Sequence, residues 1–315
     1  MQVGTKQLFD GALFNMGRLN QQSARLQTEI STTKKIQAPS DDSVAFARIT
    51  QIKRSLADET QFKSNVSFAS SLLDQADSAL AAMEIQVNRA REIALAASND
   101  IVSAADRKAY AAELNGILDT MVDIANTRDV RGLPLFGGAA TGDAFGRDAN
   151  GKVVWQGEGE AAPIPIASNS SIAAAGRGAR LFGGLPSGGG STDIFAMVQN
   201  LAAALDGTAP DDPSLGDTPQ AQLRARIDQG ISDFAAATDR LGNARASVGA
   251  RGARLVVETE RLTELATTRE IERSGLEDAN IAENLARLQQ VMLALEASQS
   301  SFAKISQMSL FDYIR

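Results

Sequence analysis

The chain has 315 residues, with 31 basic and 38 acidic side chains and a formal net charge of −7. This length permits one large domain or two to three smaller ones. A net acidic chain disfavours nucleic acid and anionic membrane surfaces as partners, because both attract clustered Lys and Arg. The absence of Cys and His removes thiol nucleophiles, imidazole bases and the usual zinc ligands. We therefore expect no cofactor, no metal site, no nucleic-acid partner and no membrane partner, and an enzyme is the remotest class.

The first residues, Met1 to Lys6, are not followed by the apolar segment of a secretory signal. No stretch approaches the 18 uninterrupted apolar residues of a membrane-spanning helix. Taken alone, these features predict a cytoplasmic protein, and they leave open export by a route that uses no cleaved signal.

Aromatic residues make up 5% of the chain, and Trp155 is the single tryptophan. With abundant alanine, this composition predicts narrow helix–helix seams rather than a thick globular core. Residues 1 to about 130 contain one proline, Pro39, and residues 219–315 contain none after Pro219. Most Gly and Pro lie between these zones, so the two ends are predicted to be helical and the middle to consist of strands and loops.

The N-terminal zone has apolar residues spaced three and four apart, which predicts helices that bury one stripe. The first stripe includes Phe9, Met16, Leu19, Leu26 and Ile30. Pro39 interrupts it, and Ser40 or Asp41 is predicted to cap the next helix. A second register runs from Val66 to Ala97, and a third, predicted to be antiparallel to it, from Tyr110 to Ile124.

The C-terminal zone mirrors the first. Leu241, Val248, Leu255 and Leu262 recur every seven residues. After a gap near Ser274-Gly275, a final stripe consists of Ile281, Leu288, Val291, Leu295, Phe302 and Ile305.

The middle zone contains turn and strand signals. The sequence Asp148-Ala149-Asn150-Gly151 predicts a hairpin turn before a strand at 153–155. Ile164, Ile166 and Ile172 predict further short strands. The glycine-rich stretches 183–184 and 187–191 are predicted to be flexible linkers. Thr192 or Asp193 then caps a predicted helix that extends to Leu205.

Three segments have a chemical interpretation, and each has a simpler one that we favour. Residues 143–152 resemble an acidic calcium loop, but they lack its alternating ligands and closing Glu, so a hairpin turn is preferred. The glycines near 183–190 lack the Lys and the strand–helix context of a phosphate-binding loop. Asp41 and Asp42 are a carboxylate pair, but a helix cap explains them better than acid–base catalysis does.

The two terminal stripes require partners. The stripe from Phe9 to Ile30 offers about five large apolar side chains, each contributing roughly 1.5–3 kcal/mol when buried. Ordering a residue costs on the order of 1–2 kcal/mol of backbone entropy, so the helix is unstable alone. The C-terminal stripe, from Ile281 to Ile305, is the natural partner. We expect a subunit that polymerises through its ends, with terminal helices that are disordered in the free monomer and fold on assembly.

Several segments together resemble the flagellin superfamily, and within it the hook–filament junction proteins. Ile30-Ser31-Thr32 followed by 38–42 resembles the N-terminal signature of the superfamily, and 105–126 with Leu135-Phe136-Gly137-Gly138 resembles its return helix and exit. Residues 245–251 resemble the first C-terminal helix, and 306–313 resemble the ending of the junction proteins. Gly252 departs from the family pattern, which has a larger residue there, and the middle zone matches only loosely.

The resemblance implies a mainly α fold, with a long coiled-coil or helical-bundle rod built from both terminal segments and a small inserted β-rich outer domain. The implied segments are an inner-tube N-terminal polymerisation helix at 1–40, rod helices at 41–131, the outer domain at 132–190, a short helix and linker at 191–218, a C-terminal rod helix at 219–273, and an inner-tube C-terminal polymerisation helix at 274–315. The expected assembly interface consists of the two terminal stripes together with Leu310 and Phe311.

The resemblance also implies an extracellular structural role at the hook–filament junction, after type III export without a cleaved signal peptide. The implied partners are other copies of the chain, the first hook-associated protein, flagellin and a cytoplasmic export chaperone. The main alternative is a flagellin that builds the filament itself. A cytoplasmic coiled-coil signalling protein is a more distant alternative, because it would not need a β insertion between mirrored helices.

Overall fold

The computed structural model describes residues 2–99, 101–174, 176–188 and 190–313; the side chains of 2–6, 8 and 305–313 lie outside the description. The predicted mainly α class with small β elements is confirmed. The helices are α1 (Gln2–Thr32), α2 (Ser43–Ala97), α3 (Ala104–Ala125), α4 (Gly178–Phe182), α5 (Ile194–Asp206), α6 (Pro219–Glu277) and α7 (Ile281–Tyr313). The chain divides into two compact units, residues 1–58 with 264–315 and residues 59–263. The six segments predicted from the sequence stay a prediction.

Three antiparallel hairpins supply the strands of the middle unit. They pair β1 (Phe145–Arg147) with β2 (Val153–Trp155), β3 (Ile164–Ala167) with β4 (Ser170–Ile172), and β5 (Leu185–Ser187) with β6 (Gly190–Thr192). The turn predicted before β2 is present, because Asp148 Oδ1 accepts hydrogen bonds from the backbone N–H groups of Asn150 and Lys152. These bonds agree with the interpretation of the acidic segment 143–152 as a hairpin turn.

The prediction of a flexible linker at 187–191 is wrong, because this segment belongs to the β5–β6 hairpin, whereas 183–184 connects α4 to β5. Leu185 is buried in the core of the middle unit, and the Ser187 hydroxyl donates to Asp233 Oδ2 at 2.6 Å. Gly184 and Gly188 have φ angles of +68° and +53°, which only glycine adopts readily. Gly188 therefore permits the turn between β5 and β6, and Gly184 permits the bend that leads into β5.

The core of the middle unit joins the helices to the hairpins. Leu80, Met83, Leu114 and Met121 pack in the same buried cluster as β-strand residues such as Ile166. Arg89 of α2 forms a 2.6 Å ion pair with Glu113 of α3, which fits the predicted antiparallel pairing of these helices. At the start of α5, Asp193 accepts a hydrogen bond from the backbone N–H of Ala196, so Asp193 is the helix cap.

Candidate assembly interface

Helices α1 and α7 pack against each other in the terminal unit, and two contacts define their direction. Near the start of α1, the rings of Phe9 and Phe302 meet edge to face, with centroids 5.0 Å apart and planes at 77°. Near the end of α1, Glu29 Oε2 accepts a 2.9 Å hydrogen bond from the Asn284 side chain. The first residues of α1 thus meet the later residues of α7, so the helices are antiparallel.

The predicted interface residues lie at the least exposed positions of the two helices. Leu26 and Val291 are buried, at 6% and 7% exposure. The half-buried members of the set are Phe9, Met16, Leu19, Ile30, Ile281, Leu288, Leu295 and Phe302. The side chains of Ile305, Leu310 and Phe311 lie outside the described residues. The spacing of three and four therefore marks the stripe that each terminal helix uses within one copy of the chain.

A second set of apolar side chains remains exposed on the same helices, and sequence reasoning missed it. It consists of Leu13 and Phe14 on α1 and Leu285, Met292 and Leu293 on α7, and we call it the outer apolar face. Phe14 is 74% exposed and Leu293 is 69% exposed. Leu285, Met292 and Leu293 are spaced by seven and eight residues, which places them on one side of a helix. That spacing is present in the sequence, but the interface was predicted at the neighbouring stripe that contains Leu288, Val291 and Leu295.

The two linkers of the terminal unit join in a short antiparallel bridge, which we call the clasp. The backbone N–H of Lys35 donates to the Glu277 carbonyl at 2.8 Å, and the N–H of Ala279 donates to the Thr33 carbonyl at 2.9 Å. Lys35 Nζ also donates to the Gly275 carbonyl. Thr33 has a φ of +59°, an unusual value for a β-branched residue, so the clasp holds a strained turn in place.

Glu277 is the charged centre of the clasp. Its buried carboxylate accepts from Lys34 Nζ at 2.7 Å and Lys53 Nζ at 2.9 Å. Burial opposes ionisation of this carboxyl, but the hydrogen bonds from the two lysines outweigh it and hold the pKa of Glu277 below its usual value. One carboxylate thus ties together the α1–α2 linker, helix α2 and the end of α6. Arg48 and Glu272 add a more exposed ion pair at 2.6 Å.

The cap of α2 is Asp42, so the prediction of Ser40 or Asp41 is wrong. Asp42 Oδ1 accepts from the backbone N–H groups of Val44 and Ala45. Asp41 instead turns back and accepts from the N–H groups of Gln37 and Ala38, which lowers its pKa. The two adjacent carboxylates therefore have separate structural roles, one in the linker and one in the helix.

Comparison with known families identifies the class. The model of the bacterial flagellin N-terminal helical region matches residues 5–141, and that of the bacterial flagellin C-terminal helical region matches residues 231–314. Together they cover more than two thirds of the chain, which belongs to the flagellin superfamily.

Two relatives and one solved structure show which members of the superfamily this chain resembles. Flagellar hook-associated protein 3 of Escherichia coli (strain K12) is 26% identical over 295 residues, covering 90% of each chain. A flagellin of Listeria monocytogenes is 25% identical over 290 residues, covering 91% of this chain and 90% of the relative. The crystal structure of flagellar hook associated protein-3 from Legionella pneumophila aligns with a TM-score of 0.66 and 16% identity, over 72% of this chain and 98% of that one. The predicted resemblance to the junction proteins of the superfamily is therefore confirmed.

Among the residues that the structure describes, no group of three or more His, Cys, Asp or Glu residues is arranged to hold a metal ion. Within the same residues, no helix is both long and apolar enough to cross a bilayer.

Proposed function

We propose that the chain is a structural subunit of the bacterial flagellum, an adaptor that joins hook-associated proteins to the flagellin filament and assembles with copies of itself. The outer apolar face carries this proposal. Helices α1 and α7 bury one stripe each within a copy, and Leu13, Phe14, Leu285, Met292 and Leu293 remain exposed. Leu285, Met292 and Leu293 lie on one side of α7, and a group of exposed apolar side chains on one helix face is suited to bind another protein.

The outer apolar face supplies a driving force for assembly. Full burial of a Leu, Met or Phe side chain contributes roughly 1.5–3 kcal/mol relative to exposure. Several such side chains, shared between neighbouring copies, help to offset the entropy of ordering two long helices. In this proposal the stripes from Phe9 to Ile30 and from Ile281 to Phe302 form the seam within one copy, and the outer apolar face forms the contact between copies.

The partners follow from the proposed position in the flagellum. Copies of the chain form a ring, the first hook-associated protein contacts it on the hook side, and flagellin contacts it on the filament side. A cytoplasmic chaperone binds the C-terminal helix before export, which proceeds through the type III apparatus without a cleaved signal peptide. The proposed role is structural.

The second candidate is a flagellin that builds the filament itself, which the Listeria relative favours. The two functions differ in copy number, because an adaptor forms a short ring and a flagellin forms many layers. Quantitative mass spectrometry of isolated flagella separates them. A ratio of this chain to the main filament protein far below one supports the adaptor, and a ratio near one contradicts it.

The assembly role is tested in a strain that lacks the gene and expresses variants of the chain. Leu293→Asp places a carboxylate in the outer apolar face, where it opposes burial against a neighbour. Gln290→Asp is the matched control, with the same carboxylate at an exposed polar position one turn away. We expect Leu293→Asp to fold normally and to be lost from isolated flagella, and Gln290→Asp to be incorporated. Normal incorporation of Leu293→Asp would contradict the proposed interface.

A further inference from the structure

Three arginines line a small surface pocket in the middle unit, and a fourth follows one helical turn later on α6. Arg177, Arg180 and Arg251 line a pocket of about 290 Å³, together with Glu160 and Ser247. Arg254 lies one helical turn beyond Arg251 and donates to the hydroxyl of Ser170. We call these four residues the arginine pocket. So concentrated a positive charge contrasts with the chain's net charge of −7.

Neutral groups hold three of the four arginines. Arg251 donates to the carbonyls of Ser247 and Ala173. The Cζ atom of Arg177 lies 4.8 Å from the centroid of the Trp155 ring, over its face. The buried Arg177 Nε has no hydrogen-bond partner among the described residues. Across these same residues no carboxylate pairs with Arg177, Arg251 or Arg254, and Glu160 pairs only with the exposed Arg180.

Another arginine of helix α6, Arg245, is paired with acidic groups. It binds the carboxylates of Asp77 and Glu84 at 3.0 and 3.1 Å. Hydrogen bonds to those partners raise the pKa of Arg245, whereas burial lowers the pKa of Arg251. Arg177, Arg251 and Arg254 therefore present positive charge that is not paired with a carboxylate among the described residues of the same copy, and guanidinium groups favour carboxylates as ligands.

An acidic loop lies elsewhere in the same unit. Residues 206–217 contain Asp206, Asp211, Asp212 and Asp217, and the sequence has no Lys or Arg between Arg180 and Arg224. Asp212 caps the 3₁₀ turn Pro213–Leu215, and Asp206, Asp211 and Asp217 are exposed. The loop has a defined shape, because Arg226 donates to the Pro210 carbonyl and the Gln222 side chain bonds to Asp212 N and Gly216 O.

These two charged surfaces do not meet within one copy. The acidic loop leads directly into α6 at Pro219, and Arg251 follows on the same continuous helix. At 1.5 Å per residue, the 32 residues from Pro219 to Arg251 span about 48 Å. Salt screens exposed charges beyond about 8–10 Å, so the pocket and the loop do not stabilise each other in a single copy.

We infer that the arginine pocket of one copy binds the acidic loop, residues 206–217, of a second copy. The contact joins different surfaces of identical chains, so it is head-to-tail, and repetition produces a ring or a helical array. The inference rests on the proposed function, in which copies of the chain assemble, and it assigns a contact in the middle unit that is separate from the outer apolar face.

Cysteine cross-linking tests the contact, since the native chain has no Cys. Ser247→Cys marks the pocket, Thr208→Cys marks the loop, and both positions are exposed. A short bismaleimide is added to isolated flagella and to concentrated purified full-length chain. We expect a ladder of dimers and higher oligomers from the double variant, and only dimers from a mixture of the two single variants. The control pair Ser78→Cys with Thr208→Cys should give no ladder.

Charge exchange provides a second, independent measurement in the chain with both reporter cysteines. Arg180→Glu with Arg254→Glu should reduce the ladder about tenfold or more, because like charges then face each other. Asp211→Arg with Asp217→Arg should do the same, and all four substitutions in one chain should restore the ladder. Absence of a ladder in both preparations, or failure of the fourfold variant to restore it, would overturn the inference. A chain that is present in flagella but gives no ladder contradicts only this contact, whereas a chain that is missing from flagella contradicts the proposed function.

Discussion

Helices α5 and α1 bury their apolar side chains in different ways. Helix α5 buries residues around most of its circumference, among them Ile194, Phe195, Met197 and Leu201. Helix α1 keeps one narrow stripe out of solvent and exposes Phe14 on another side. A helix that is apolar all round belongs in a core, and a helix with a single narrow stripe depends on its partner. The middle unit thus supplies its own stability, and the terminal unit depends on pairing.

The middle and terminal units also differ in how their aromatic residues pack. Phe136, Phe145, Phe182 and Phe195 form a connected cluster in the middle unit, with ring centroids 5.0–6.0 Å apart. The low aromatic content predicted narrow seams in place of a thick core, and for this unit the prediction is wrong. The few aromatics are concentrated where hairpins and helices meet, and an average over the whole chain hides such a concentration. The terminal seam, by contrast, has one aromatic pair, Phe9 with Phe302, among its described side chains.

The largest expected effect comes from opening the aromatic core. Phe182 is 1% exposed, so Phe182→Ala should lower the free energy of unfolding of the middle unit by about 3–5 kcal/mol. Denaturant unfolding of the full chain measures the loss. Phe14→Ala is the control on the exposed face and should change stability little. Equal losses from both variants would contradict the distinction between core and outer face.

A break in the terminal seam should have a different signature. Phe302→Asp removes a half-buried ring and its edge contact with Phe9, weakening the pairing of α1 and α7 by about 2–3 kcal/mol. Incorporation of the chain into flagella should then be lost, and the melting temperature of the middle unit should stay nearly unchanged. In dilute, chaperone-free monomer we expect fast exchange across 10–30 even without the substitution. Slow exchange there would rule out folding coupled to assembly.

The clasp tests whether charge supports the terminal unit. Glu277→Gln removes a buried carboxylate but leaves Lys34 and Lys53 nearly half exposed, so solvent screens their remaining charge. The expected loss is about 1–2 kcal/mol, measured by hydrogen exchange at 33–35 and 277–279. Because the folded-state pKa of Glu277 is lowered, its contribution is complete above the usual Glu pKa of 4.5 and is lost as pH falls through the folded value. The variant should lack this acid-sensitive component, and an unchanged acid profile would argue against the role of Glu277.

The smallest effect concerns the start of α2. Asp42→Ala removes the side-chain oxygen that caps Val44 and Ala45 and should cost about 1 kcal/mol. Ser40→Ala is the matched control in the same linker and should be neutral. Thermal unfolding of the two variants, compared at the same pH, distinguishes Asp42 from the cap that the sequence predicted.

The residues by themselves determined the local features. Spacing of three and four identified the stripe from Phe9 to Ile30 and its partner on α7, because side-chain direction in a helix follows from position alone. The Asp148–Gly151 turn was equally readable, because Asp and Gly favour that backbone shape locally. The order of the quoted segments was enough to indicate the flagellin superfamily.

Tertiary structure decided which local features meet. Whether glycines near 183–190 form a linker or a hairpin depends on Leu185 finding a buried site, and that site is built by distant segments. Asp41 and Asp42 have equal capping propensity, so the path of the linker determines which of the two caps helix α2. The arginine pocket joins α6 to residues about 70–90 positions earlier, so no local pattern predicts it. Chain spacing fixes the face on which a side chain lies, and only the fold determines what that face contacts.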